Sequence, residues 1–540
     1  MQSYGRIARL AFAVAPVAAI LILSGCGHSS SPPPRRDTGA TPPPTREDTV
    51  EAGLRPPARE SFRVRLQYLQ STQEEVLIAE QELVVSAHDI GLRRLPAGTW
   101  KVSARTLGPA KKSWPVFVKA FEHHETAALR DALEHWRKQG FAPSVTTMGH
   151  AVAGSGGALH DNRLYWLAVR RCASEAEAEA LKKQLQGQKV WAWSREEVDN
   201  RARANITFRS ATGGEVLHAA SPVTVRSEGL LTLPDARKGH PPVTVPAPME
   251  ILADHTGHTA FLGEVALEEY LRGILPAEMY ASWPLEALKA QAVAARSEVL
   301  VHARGKHFFD GYDFCIEQHC RAFGGRGLYD PRTDQAVKET EGIILVAADK
   351  SIVPTVFSSN CGGWTESNEN VWDGAAQPAL RGRPDSRDGE RRGSHNHAER
   401  WLNSGGHAYC AGDKDYYRWT RSISLAKLSA QFNRDYGIGN LRSIEALERG
   451  VSGRLKSVRV VGDRKSAVIN KELNIRRAFE NLPSALCTFS IQGGTVHIRG
   501  AGRGHGVGLC QHGANGMARE NLGYEAILRH YFSGVALARL

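Results

Sequence analysis

Glu278 stands between two stretches that both read as helices. Before it, Leu267, Leu271 and Ile274 recur at helical spacing, predicting a short helix ahead of Pro276. After it, Pro284 suits a first helical turn, and Leu285, Leu288, Ala292, Ala295 and Val299 form one apolar stripe. A carboxylate at such a joint, between Ala277 and Met279, can be desolvated by apolar neighbours. Desolvation raises its pKa toward the range a general acid needs. On these residues alone the plainer reading, a helix cap or a solvated side chain, is the stronger one.

Other residue types gather nearby. Lys289 and Arg296 are seven apart and share a helix face, which suits either anionic groups of a ligand or ion pairs within the fold. Gln291 between them can bond hydroxyls or cap a neighbouring element. Cys315, His319 and Cys320, with His307 upstream, offer two thiolates and two imidazoles, a tetrahedral donor set for a structural zinc. His302 rivals His307 as a ligand, and a short Cys315–Cys320 disulfide is the alternative in an oxidising compartment. The glycine-rich stretch 500–516 fails as a nucleotide loop. His505 stands where a third glycine is needed, and no Gly-Lys-Ser/Thr follows. It reads instead as a tight loop after a strand Thr495–Arg499, with Gly504, His505 and Gln511 as candidate ligand contacts. For His505, a side chain satisfied by backbone fits equally well.

These groups must be carried by a chain of 540 residues, long enough for two or three domains, with a net charge of +11. That charge suits polyanions: nucleic acid, an anionic membrane or a wall polymer. Arg6 and Arg9 precede an apolar run from Leu10 to Leu23, too short for an ordinary spanning helix and placed as an export signal. Export argues against a nucleic-acid partner. The run ends in Leu23-Ser24-Gly25-Cys26, which resembles the bacterial lipobox and would make Cys26 a lipidated, membrane-anchored N-terminus. Residues 1–26 are then the lipoprotein signal, and Gly27 is compatible with outer-membrane sorting. Of eight cysteines, seven remain after Cys26, so at least one is free or metal-bound. Residues 27–60, rich in Pro, Ser and Thr, form a stiff solvated tether.

The folded part reads as multi-domain α+β. Residues 61–112 open a small β module, with Phe62, Val64, Leu66 and Tyr68 alternating, and short strands over 203–265 complete it. Between them, 113–195 run strand, helix, strand, strand, helix, strand. A glycine at 140 closes the first helix, and a capping box at Ser174–Glu177 opens the second. That order predicts a ferredoxin-like unit. The unit resembles the SPOR-type peptidoglycan-binding domain, which implies binding of glycan strands stripped of stem peptides. Residues 203–540, with a core at 265–540, form the remaining unit.

Four ordered blocks resemble the SpoIID/LytB family. They are Glu268 to Met279 with Leu285 to Arg296; Tyr312 to Cys320; Phe357 to Glu366 running on to Trp372; and Gly502 to Ala514 with Met517-Ala518 and Tyr524 to Tyr531. The resemblance implies an exported peptidoglycan lytic transglycosylase acting on denuded glycan, with Glu278 as catalytic acid and base and 1,6-anhydro products. It points Lys289, Gln291 and Arg296 at the glycan, with Ser359, Gly362 and Gly363 beside it, and leaves Glu366 and Glu369 available to assist. It implies a structural zinc at His307, Cys315, His319 and Cys320. Cys361 and Cys510 stand where the family commonly has serine, which suggests pairings of Cys361 with Cys410 and of Cys510 with Cys487. The competing function is a non-catalytic peptidoglycan-binding protein or an enhancer of a wall amidase. A catalytic zinc fits poorly, because four protein ligands leave no open position. The expected location is the periplasmic face or the cell surface.

Overall fold

The computed structural model describes residues 61–540 except 68–73, 150, 154–158, 162, 235–241, 255, 304–306, 308–309, 318–319, 373, 387–401 and 403–406. The expectations for Cys26, the tether and His319 therefore lie outside the described residues.

Two sheets face each other across one core. In the first, Ser61–Arg65 lies between Thr259–Ala266, antiparallel, and Phe314–Cys315, parallel; the sheet continues through Met249–Ala253, Val223–Arg226, Leu83–Ala87 and Gly91–Leu95. The second runs Val216–Ala220, Arg203–Ser210, Gly98–Gly108, Glu74–Ala79, Leu230–Leu233 and Val243–Pro246. Alternate residues such as Val64, Leu77, Val102, Ile206, Phe208 and Phe261 point inward and are buried. Ser61 pairs with Ala266, so the first described strand lies directly against the one that leads into the Glu278 helices.

Residues 111–194 make a separate unit with helices α1 (Thr126–Lys138) and α2 (Glu175–Gly187). Its sheet sets the fourth, first, third and second strands side by side, all antiparallel, the split βαβ order. Leu129 and Trp136 of α1 and Leu181 and Leu185 of α2 pack on Val116, Leu167 and Val169. The Ser174 side chain accepts the Glu177 N–H and caps α2. Many unrelated modules share this order, so topology alone does not carry the SPOR resemblance.

The helical body is built on α3 (Leu267–Glu278), α4 (Leu285–His302) and α5 (Pro331–Glu339). Helix α3 runs through Pro276 rather than stopping before it. Pro276 removes one ladder bond in the last turn, and the Met279 N–H closes that turn on the Leu275 carbonyl at 3.0 Å. Glu278 is thus the last residue of α3, not the cap of α4. From Ala287 to Leu300 helix α4 is buried almost throughout, which its small alanines permit as α3, α5 and the helices Gln511–Arg519 and Tyr524–Tyr531 close around it.

A further unit is spliced into this body. Two three-stranded sheets, Arg418–Ser424 with Thr495–Ala501 and Cys487–Gln492, and Leu441–Arg449 with Leu455–Gly462 and Ser466–Asn470, have their own core of Leu428, Phe432, Val458, Val460, Ile475 and Phe479. Strand Thr495–Ala501 then delivers the glycine-rich loop to the helical body.

Candidate active site

Glu278 leaves the end of α3 with its side chain 22% exposed. Burial raises its pKa above the usual carboxylate range, Arg321 and a hydrogen bond from Gln511 pull it back, and Glu298 raises it further. Gln511 Nε2 donates to Glu278 Oε2 at 3.3 Å, and Arg321 Nε lies 3.9 Å from Oε1. Arg321 is held in turn. Its Nη2 meets Glu298 Oε1 at 2.9 Å, its Nη1 donates to the Cys320 carbonyl at 2.7 Å, and its guanidinium lies over Phe357. Glu298 also faces His302 Nε2 at 3.4 Å. The acid therefore has a hydrogen-bond donor on one side, a guanidinium charge on the other and a desolvated carboxyl between them. Because Arg321 lowers the Glu278 pKa, Arg321→Gln should raise the midpoint of the Glu278 carboxyl in a carbon-detected NMR titration. An unchanged midpoint would remove Arg321 from the site.

An aromatic shelf adjoins the acid. Tyr280, two residues on, is more than half exposed and meets Trp283 edge-on at 5.4 Å. Trp283 contacts His512, Tyr416 stacks on His512 at 4.5 Å, and the Arg503 guanidinium lies over Tyr416. His512 is fixed because its Nδ1–H donates to the Ser359 carbonyl at 2.8 Å. Amphipathic faces of this kind suit the apolar faces and hydroxyls of sugars.

The glycine-rich loop and the loop at 358–363 are stitched together. Asn360 and Arg503 exchange backbone bonds of 3.1 and 2.8 Å, and Phe357–Ser358 pairs in parallel with Leu509–Cys510. Gly362 (φ +76°) abuts Leu486 and Ala501, and Gly504 (φ +92°) abuts Ser358; a Cβ would sit 3.0 and 2.9 Å from them. Packing within the protein alone demands glycine at these two positions, and the Gly363 carbonyl accepts the Asp385 N–H. His505 is likewise held by backbone. Its Nδ1 accepts the Val507 N–H at 3.1 Å, and it bonds to Phe357 backbone. Burial first, then Arg454, Arg321 and Arg476, lower its pKa to about 3, so it is neutral at physiological pH. Among the described residues Gln511, not His505, hydrogen-bonds Glu278.

Several predicted contacts are structural instead. Lys289 is held by Glu286 at 2.8 Å and Glu339 at 2.6 Å. Arg296 is wholly buried, with Nε and Nη2 on Glu268 at 2.8 and 2.7 Å and further bonds to the Ile343 and Val337 carbonyls. Glu366 is also buried. It accepts from Ser367, Asn370, Val451 and Ser452, which anchors the turn at 450–453. Glu369 pairs with Arg381. Arg296 and Glu366 are buried charges with their partners inside the fold, whereas Lys289 and Glu369 sit in partly exposed ion pairs. Gln291 is fully buried on the α4 face that carries Glu298 seven residues on.

His307, Cys315 and Cys320 do come together, their ligand atoms within 4.8 Å of one another. Cys487 does not join Cys510. Cys487 lies in the core of the spliced unit, whereas Cys510 sits beside Cys361 and Cys410. A separate cavity of about 500 Å³, lined by Arg63, Glu250, Glu264, Tyr312 and Asp313 among others, contains none of these site residues.

Residues 255–346 match the family model described as SpoIID, Stage II sporulation protein, and 366–508 match a Domain of unknown function (DUF8618). The first span holds α3, α4, Glu278 and the His307–Cys320 cluster. The chain is 31% identical over 276 residues to an uncharacterized protein of Brachyspira hyodysenteriae, covering 51% of this chain and 67% of that one. It is 28% identical over 318 residues to Stage II sporulation protein D of Bacillus amyloliquefaciens, covering 56% of this chain and 82% of that protein. With the Amidase enhancer of Bacillus subtilis it shares 27% identity over 294 residues, covering 49% of this chain and 40% of that protein. On these matches, with the SpoIID span holding the two helices that flank Glu278, the chain belongs to the SpoIID/LytB family.

Proposed function

We propose that this chain is a cell-wall lytic transglycosylase that cleaves denuded glycan strands, with Glu278 as general acid and then base. The observation that supports it most is the desolvated Glu278 carboxyl, held between Gln511 and Arg321 beside an aromatic shelf. Protonated Glu278 gives its proton to the glycosidic oxygen as the bond from C1 to that oxygen breaks. The 6-hydroxyl of the same sugar attacks C1, and its proton returns to Glu278. No water is consumed, and the product is a 1,6-anhydro sugar. An attacking group already on the ring supplies much of the rate through proximity. A water-using glycosidase needs a second carboxylate. Here Glu298 is tied to Arg321 and His302, and Glu366 to the turn at 450–453.

The cysteine–histidine cluster fits zinc. Asp310 holds His307 Nδ1 at 2.7 Å, the carboxylate–imidazole support expected around a metal ligand, and His307 also bonds Cys315. His307, Cys315, Cys320 and, from the sequence, His319 would hold the ion, which would act as a structural clamp on the segment carrying Arg321. The unit at 111–194, where exposed Trp191 packs on Trp193, would bind strands, and a lipid at Cys26 would hold the protein at the membrane.

The second reading is an enhancer of a wall amidase, favoured by the similarity to the Amidase enhancer. Purified protein incubated with denuded glycan, alone and with a wall amidase on intact wall, separates the two. Fragmented strands without any amidase are the expected result. Intact strands together with faster release of stem peptides by the amidase would establish the second reading instead.

A further inference from the structure

Behind the loop that carries Gln511 lies another buried cluster. Cys361, Asp385, Cys410 and Cys510 each bring a ligand atom within 4.8 Å of the other three, and all four are fully buried. The Cys361 and Cys410 sulfurs are 3.6 Å apart. A disulfide needs about 2.05 Å, whereas the edge of a tetrahedron with zinc–sulfur bonds of about 2.3 Å is about 3.8 Å. One disulfide would also leave the third thiol over.

Backbone N–H donors converge on the cluster. Cys510 caps the helix Gln511–Arg519, and its sulfur receives the Cys361 N–H at 3.1 Å and the Gly513 N–H at 3.3 Å. Asp385 Oδ2 takes the Cys410 N–H at 3.0 Å and Oδ1 takes the Tyr531 hydroxyl at 2.6 Å, while His530 Nε2 stands 3.9 Å from Oδ1. No lysine or arginine is paired with Asp385 among the described residues, so a buried carboxylate faces three sulfurs. Ionised together at this spacing, the four groups would repel one another unless a cation lay between them.

We propose that Cys361, Cys410, Cys510 and Asp385 form a second zinc site, closed and structural, distinct from the one at His307, Cys315 and Cys320. Three thiolates and one carboxylate oxygen select a borderline-soft ion such as zinc over calcium or magnesium. The ion would pin the 358–363 loop, the segment around Asp385 and the start of the helix Gln511–Arg519 to one point. Gln511 follows directly on Cys510, so the same ion would set the donor that holds Glu278.

The test is metal content of the purified full chain by plasma mass spectrometry, in wild type, Cys410→Ser, Asp385→Asn and Cys315→Ser. Cys410→Ser should lose an equivalent of zinc that Cys315→Ser keeps, and Asp385→Asn should release that equivalent faster to a chelator. Alkylation of folded wild type gives a readout that needs no variant to fold. Cys361, Cys410 and Cys510 should resist a maleimide until a chelator is added. Unchanged zinc in Cys410→Ser, or a Cys361–Cys410 disulfide in a non-reducing peptide map, would overturn the proposal. The first site fails separately, through the equivalent sensitive to Cys315.

Discussion

Glu278→Gln is expected to lower the rate of glycan cleavage by about 10³-fold, within the range general acid–base catalysis supplies, while binding of denuded strands stays unchanged. The same substitution has a second signature, in stability. Burial raises the folded-state pKa of Glu278 above its unfolded value. The contribution of such a group is full below the unfolded pKa and is lost as pH rises through the folded one. The Gln variant should therefore melt higher than wild type at neutral pH, and the gain should vanish toward acid pH. A carboxylate kept only to hold the fold would behave oppositely, melting lower on substitution. Melting temperatures across that pH range decide between the two.

Arg296→Ala should cost about 3–5 kcal/mol in urea unfolding, because it leaves Glu268 and two backbone carbonyls without the buried guanidinium. Lys289→Ala should cost about 1 kcal/mol or less, since Glu286 and Glu339 are both partly solvated. If Arg296 were instead a glycan contact, its alanine variant would fold as wild type does and lose binding.

The two helices that flank Glu278 are legible in the periodicity of the sequence, and its candidacy as the acid rests on the resemblance of three distant blocks to one family. The groups around it were harder to see. Arg321 has no pattern of its own and acts only because it follows Cys320 onto the acid. Glu298 sits in a helix that reads as an alanine-rich core element, so a buried carboxylate there leaves no trace in periodicity. The aromatic shelf draws Tyr280 and Trp283 from one segment and Tyr416 and His512 from others far along the chain. Glu366 and Arg296 show the converse error. Charged residues in a recognisable block look like ligand contacts until the fold supplies their internal partners. His505 sits in the most distinctive loop of the sequence, yet its ring is spent on Val507 and Phe357. One regularity emerges only in three dimensions. The two residues that meet the Glu278 carboxyl, Arg321 by charge and Gln511 by a hydrogen bond, each follow a cysteine of a buried cluster, Cys320 and Cys510.

In the proposed function Glu278 drives an intramolecular attack by the sugar's 6-hydroxyl. Mass spectrometry of the fragments released from denuded glycan tests it most directly. Fragments ending in a 1,6-anhydro sugar, one water lighter than a hydrolysis product and missing with Glu278→Gln, are the predicted result. Fragments with free reducing ends, or anhydro products that persist in the Gln variant, would contradict it.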